Sequence, residues 1–217
     1  MRGSGFLAIW SDVSDARLTD YLHWLTREHT TERMGVQGFV AVRVFRAVIE
    51  NVNRFLIIYE LEGPEALSGQ PYLDRLNDPT PWSQRIMPIL QNFIRGGGRR
   101  KISRGIGRGG YLAALPRQTP LEWPEDVMDG LASQDRIAAV HLLETDRAKT
   151  AIQTDEKKLR GEDKSFDSLV LVEGLDQAAL RKALTQFQAV LPPGMASADV
   201  PLYALMFALD GRRWPQE

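Results

Sequence analysis

The chain has 217 residues, 43% of them hydrophobic and 25% charged, with a formal net charge of −1 and no cysteine. That length accommodates one large domain or two of roughly 100 residues, each able to bury its own core. The absence of cysteine excludes disulfides, thiolate catalysis and iron–sulfur ligation, and the charge balance argues against a strong pull toward nucleic acid or anionic membrane.

Met1 to Trp10 is too short and too soon followed by charge for a signal peptide. No window approaches the roughly 18 continuous apolar residues of a spanning helix, so a cytoplasmic protein is expected. Phe6 to Trp10 is an apolar run that reads as a buried strand. Ser14 or Asp15 is suited to cap a helix. Leu18, Leu22, Leu25 and His29 then recur on one helical face with Tyr21 beside it, until Gly35 and Gly38 end the element. Val40, Val42 and Val44 alternate with Phe39, Ala41, Arg43 and Phe45, and Phe55 to Leu61 is dense in β-branched and aromatic residues. With a turn at Ile49 to Asn53, these two runs predict a hairpin. After Gly63-Pro64 a helical stretch, broken at Pro71 and Asp78-Pro79, extends to about Phe93. Ile94 to Arg108, basic and Gly-rich, contains a further strand.

The remainder repeats this order of elements without repeating residue identities. Tyr111–Leu115 is a strand, Trp123–Leu131 a short helix, and Arg136–Leu143 a strand containing His141. Asp146–Lys164 is a long connection or small helix, followed by a strand at Ser168–Val172. Asp176 caps a helix whose apolar face includes Leu180, Leu184 and Phe187, Pro192-Pro193-Gly194 stops it, and Leu202–Leu209 is the last strand. The predicted class is α+β, with two tandem ferredoxin-like βαββαβ units, 1–108 and 109–217, forming an α/β-barrel-type arrangement. Each unit covers one sheet face with helices. The other faces are expected to bury against each other, within one chain or between two, around a cavity.

The phrase Trp24-Leu25-Thr26-Arg27-Glu28-His29, extended by Glu32-Arg33 and followed by Gly38-Phe39 and Arg43, then Tyr59-Glu60, resembles the helix-end and strand-start pattern of the dimeric α/β-barrel superfamily. Within it, the phrase resembles that of EthD-like proteins and their uncharacterised relatives. The resemblance covers about residues 5 to 95. It implies a ferredoxin-like half, a dimeric α/β-barrel-type arrangement with a homodimer expected, and His29 bordering the barrel cavity. Similar proteins include cofactor-free monooxygenases, small-lactone isomerases and polyketide cyclases or decarboxylases, so the fold leaves the reaction open.

His29 is the leading candidate for chemistry. On an apolar face, desolvation favours its neutral, basic form, while a position in the last helical turn favours the cation. The alternative is a half-buried structural histidine. Glu28 or Glu32 could orient the ring or accept a proton, or else belong to a solvated helix end, and His23 falls on the opposite, exposed side. Trp24, Tyr59, Phe39 and Phe45 are candidates to line a cavity for a planar ligand, or are ordinary core. Arg43, on an otherwise apolar strand, needs a carboxylate from a ligand or from the protein, for example Glu60 across the hairpin. Gly96 to Gly110 lacks a Walker pattern and aromatic residues for base stacking, so it reads as a solvated edge strand and hinge. His23, His29 and His141 have no metal-ligand spacing, and the second half offers no convincing haem ligand.

These readings together predict a small enzyme without a cofactor, acting on a small aromatic or polyketide-like compound, with no nucleic-acid or membrane partner. The reaction classes, in falling order, are isomerisation, dehydration, decarboxylation and oxygen-dependent oxidation. With no counterpart of His29 on the first helix of the second half, the site should be asymmetric, one per chain, with the second half as lid or wall. The competing expectation is a non-catalytic protein of the same fold that binds a small hydrophobic ligand or serves a stress-related structural role.

Overall fold

The computed structural model describes residues 1–161, 163–188, 191 and 195–211. The expected stop at Pro192-Pro193-Gly194 lies outside the described residues. Among the described residues there are eight strands: β1 (Gly5–Asp12), β2 (Phe39–Ala47), β3 (Arg54–Leu61), β4 (Gln91–Gly105), β5 (Tyr111–Arg117), β6 (Ile137–Thr145), β7 (Ser168–Gly174) and β8 (Leu202–Asp210). They form one closed antiparallel barrel in the order β1-β3-β2-β8-β5-β7-β6-β4. The strands up to Gly105 run side by side as β4-β1-β3-β2, and the later ones repeat that pattern as β8-β5-β7-β6, joined at β2–β8 and β4–β6. Because the ring closes within one chain, the barrel requires no second copy.

Strand alternation sorts side chains between two buried faces rather than between core and solvent. Phe6 and Trp10 of β1, Phe45 of β2, Leu56 of β3 and Leu171 of β7 point inward and pack with Phe166 and Tyr203. Their outward neighbours, such as Leu7, Val42, Val44 and Ile57, pack beneath the helices of the first half. The lumen is therefore a filled core and not the cavity expected from sequence. It also holds a buried charge cluster. Arg43 forms a bidentate pair with Glu173, at 2.7 and 2.8 Å, and its Nε lies 3.3 Å from Glu60. Arg108 reaches Glu60 at 2.7 Å.

The helices depart from expectation in two places. The first ends at Gly35 as expected, but His29 does not stand in its last turn. α1 (Asp15–Trp24) continues through one π-helical turn, Leu25–His29, into α2 (Thr30–Met34), and Gly35 caps the whole. The predicted stretch from Glu65 resolves into a 3-10 turn at Pro64–Leu67, α3 (Gln70–Asn77), α4 (Pro81–Ile86) and a second 3-10 turn at Met87–Ile89. The second half contributes α5 (Glu125–Ala132), α6 (Arg147–Ala151), α7 (Asp155–Lys158) and α8 (Gln177–Gln186).

The basic Gly-rich run is not an edge strand. It is β4, paired with β1 on one side and β6 on the other. Its glycines serve close packing: a Cβ on Gly96 would come within 2.4 Å of Phe166, and one on Gly98 within 2.1 Å of the Glu144 carbonyl. No helix is long and apolar enough to cross a membrane, among the described residues.

Candidate functional site

The pocket lies outside the barrel, between the outer face of β1 and β3 and the helices of the first half. Its floor is Leu7, Ile9, Ile57 and Tyr59, and His29, Arg33 and Tyr72 descend from the π-turn, α2 and α3 respectively. The last wall comes from the other half of the chain. The β6–β7 connection, carrying α6 and α7, crosses over and contributes Thr154, Glu156, Lys157 and Arg160.

This crossing segment is held by specific bonds. Arg33 and Glu156, both buried, form an ion pair. Arg95 of β4 donates to the Thr150 carbonyl at 3.0 Å, and the Arg160 guanidinium sits 4.2 Å above the Phe93 ring. The enclosed space beneath it is about 30 Å³. That is room for one or two waters and far below the roughly 300 Å³ of an ordinary ligand pocket. A ligand of ordinary size therefore does not fit without displacement of part of this lining.

His29 sits in the π-helical turn. Such a turn inserts an extra residue into the helical register and re-aims the side chains it carries, and π-turns recur at functional sites. The ring is 4% exposed and stacks on Trp24, with centroids 4.2 Å apart and planes inclined by 29°. Trp24 is fixed in turn by a bond from its indole nitrogen to Ser83 at 3.1 Å. The Nδ1 of His29 is buried without a hydrogen-bond partner among the described residues. Burial above all, then the charges of Arg33 and Arg160, hold the imidazole pKa well below its ordinary value. The helix-end effect anticipated from sequence does not oppose this, because the helix runs on to Met34. The imidazole is therefore neutral at pH 7. The Tyr59 hydroxyl is likewise buried and unpartnered, and burial raises its pKa, so it remains a protonated donor.

Of the residues expected at the site, His29, Trp24 and Tyr59 come together in this pocket. The others stand elsewhere. Glu28 lines a separate surface depression, and its Oε1 accepts from the Thr80 hydroxyl at 2.6 Å, tying the π-turn to the start of α4 rather than orienting His29. Glu32 pairs with Arg75 at 3.4 Å. Phe39 packs behind the pocket against Tyr59 and Tyr72, with ring centroids 5.5 and 5.0 Å away. Arg43 and Phe45 point into the barrel, where Arg43 takes its carboxylates from the protein. His23 is exposed. His141 lies inside the barrel between Ser103, 2.7 Å from its Nδ1, and Glu173, 3.2 Å from its Nε2.

Sequence reasoning missed Arg33, Tyr72, Arg95, Glu156 and Arg160. Arg33 closes the phrase that marked the first helix, and a basic residue four positions after a candidate base was the one available signal. Nothing in the polar stretch around Glu156 announced that it would cross to the other half.

No protein-family model matches the sequence, and no curated protein matches it. Solved structures do. A monooxygenase candidate from Fusobacterium nucleatum subsp. nucleatum superposes with a TM-score of 0.56 at 12% identity, covering 97% of this chain and 96% of that one. An anthrone oxidase-like protein superposes with a TM-score of 0.55 at 11% identity, covering 96% of this chain and 93% of that one. At such identities the likeness is one of fold, and this chain shares the α+β-barrel architecture of these proteins.

Proposed function

We propose that this chain is a cofactor-free enzyme that removes a proton from a small planar carbon acid, aromatic or polyketide-like, with His29 as the general base. The observation that carries the reading is a neutral, buried imidazole stacked on Trp24, with a nitrogen that has no partner among the described residues, in the same pocket as the likewise unpartnered Tyr59 hydroxyl. A neutral imidazole in a desolvated pocket is a competent base. The Tyr59 hydroxyl is suited to donate to the carbonyl oxygen on which enolate charge gathers.

Proton removal is the step common to isomerisation, dehydration and cofactor-free oxygenation. The names of the two fold neighbours favour giving oxygenation more weight than the sequence did. We further read the chain as two βαββαβ halves meeting near Arg108, the first EthD-like in its helix-end phrase, in a cytoplasmic protein. The repeated strand order supports the two halves. A homodimer is not needed on this reading, because each sheet already has its partner within the chain.

The test is proton exchange, which does not require the final reaction to be known. Anthrone and a cyclic 1,3-diketone are incubated with the protein in D2O, and loss of the acidic C–H signal is followed by NMR. The protein should accelerate exchange of at least one of them, and His29→Ala, folded by circular dichroism, should abolish the acceleration. Equal exchange with both proteins removes His29 from the mechanism.

A further inference from the structure

The pocket wall is cationic. Arg33, Arg95, Lys149, Lys157 and Arg160 reach it, against the single carboxylate of Glu156. Glu156 is already held between Arg33 and Arg160. Lys149 is paired with Asp146 at 2.5 Å, and Arg160 also with Asp163 at 3.2 Å.

Among the described residues, two of these cations have no carboxylate within ion-pair distance. Arg95, 8% exposed, bonds only neutral groups, the Thr150 carbonyl at 3.0 Å and the Tyr72 hydroxyl at 3.4 Å. Among the described residues, the Lys157 ammonium has only the Ala151 carbonyl, at 3.4 Å. Burial above all lowers its pKa; the Asp163 carboxylate opposes this, and the charges of Arg95 and Arg160 add to the lowering. A buried guanidinium without a counter-ion is unfavourable unless something supplies the negative charge.

We propose that this pocket takes a planar aromatic carboxylic acid, its carboxylate bound by Arg95 and Lys157 and its ring on the side lined by Trp24, Tyr59 and Tyr72. The planar guanidinium fork matches a carboxylate. The aromatic and aliphatic lining suits a ring better than a strongly hydrated ion. A fixed negative group at this end also gives the substrate one orientation relative to His29. The proposal rests on the pocket being the substrate site and names the substrate class for it.

The probes are 2-naphthoate and its neutral analogue 2-naphthamide, measured by calorimetry at pH 7. Charge-assisted bonds predict that the protein prefers the carboxylate by roughly tenfold or more. Arg95→Met should remove most of that preference while leaving naphthamide affinity within about threefold, and Arg95→Lys should retain it. Lys157→Met, on the partly exposed crossing segment, should reduce the preference even if Arg95→Met does not fold.

Equal affinity of the two probes, no binding of either, or a preference that survives both charge removals overturns the proposal. The two readings fail separately. His29→Ala should leave the carboxylate preference intact, so loss of the preference with proton exchange preserved refutes only the acid subsite. An intact preference with exchange unaffected by His29→Ala refutes only the base.

Discussion

Replacing Arg43 with methionine should be among the most destabilising single changes in the protein. Arg43, Glu60 and Glu173 are 1%, 0% and 0% exposed, so the substitution leaves two carboxylates in the barrel after removing the cation between them. Glu173 would keep the backbone N–H of Gly109 at 2.9 Å and His141 at 3.2 Å, and Glu60 would keep Arg108. Breaking a buried pair from one side costs about 3–5 kcal/mol, a large share of a total stability of about 5–15 kcal/mol. For a chain of this size that corresponds to a fall in Tm of roughly 10 °C.

The pH dependence follows from Glu173. Burial alone would raise its pKa, but hydrogen bonds from His141 and Arg43 overcome that and hold it well below the ordinary carboxylate range. A depressed carboxylate pKa stabilises the native state above the unfolded value of about 4.3, and this contribution is lost as pH falls below it. In Arg43→Met one of these two counterweights is gone, the His141 hydrogen bond remaining, and the Glu173 pKa rises. The penalty should therefore be largest at neutral pH and shrink in acid, where protonation removes the buried charge. Urea unfolding at pH 7 and pH 4.5 measures both values. Removing both partners, Arg43→Met with Glu173→Met, should be less harmful than Arg43→Met alone. A cost below about 1 kcal/mol at pH 7 for the single variant, or a penalty that grows in acid, would refute this account of the cluster.

Gly96→Ala forces a methyl to within 2.4 Å of Phe166, itself wedged between Phe6 and Trp10. Overpacking there should cost about 1–3 kcal/mol in chemical denaturation. Because His29 stays neutral when folded, the unfolded chain takes up a proton near pH 6.5 that the native chain refuses. That contribution to stability is present above pH 6.5 and falls as pH drops through it. His29→Gln should flatten the loss between pH 7 and 5.5, as read from Tm against pH. The same shift keeps the base unprotonated, so any proton exchange it catalyses should persist at pH 6 instead of halving near 6.5. Finally, Glu156→Gln removes the charge that ties Arg33 and Arg160 to the crossing segment. Amide hydrogen exchange over Arg147–Lys158 should accelerate relative to β1 and β3, and no change would mean that the ion pairs do not hold the segment closed.

Much of the architecture was legible because each element carries a local signal. The stripe Leu18–Leu22–Leu25–His29 marks the first helix, and Asp176 caps the last by accepting from the Ala179 N–H. The site was only partly legible, for a physical reason. In an open antiparallel sheet, alternation separates core from solvent. Here both sheet faces are buried, one in the barrel and one beneath helices, and β3 shows no exposed position at all. Period-two patterning therefore cannot say which face of β2 meets a ligand. Arg43 and Phe45 fall on the barrel side, whereas Tyr59 of β3 falls on the pocket side. Long-range pairing hides the rest. Glu173 is 130 residues from Arg43 and Glu156 is 123 from Arg33, and no local pattern encodes either partner. The π-turn left no trace in the periodicity because Leu18, Leu22 and Leu25 precede it or stand at its first residue.

The asymmetry of the two halves bears most directly on function. In the second half the space between sheet and helices is filled. Met128, Leu131, Leu180 and Leu184 are fully buried there, with Trp123 and Phe187 packed against them. In the first half the equivalent layer holds His29, Arg33, Tyr59 and Tyr72 around a small enclosed space. The hairpin links differ in the same sense. Val48–Asn53 is a tight turn, whereas Asp146–Asp167 is long enough to carry two helices across to the other half. Two identical chains would place the same link on both halves, covering two equivalent pockets. Joining unequal halves in one chain lets one supply a solid scaffold and a cover, and leaves the other free to keep unpartnered polar groups buried. Those groups are unfavourable for folding. The first half is then where binding energy and chemistry should be sought.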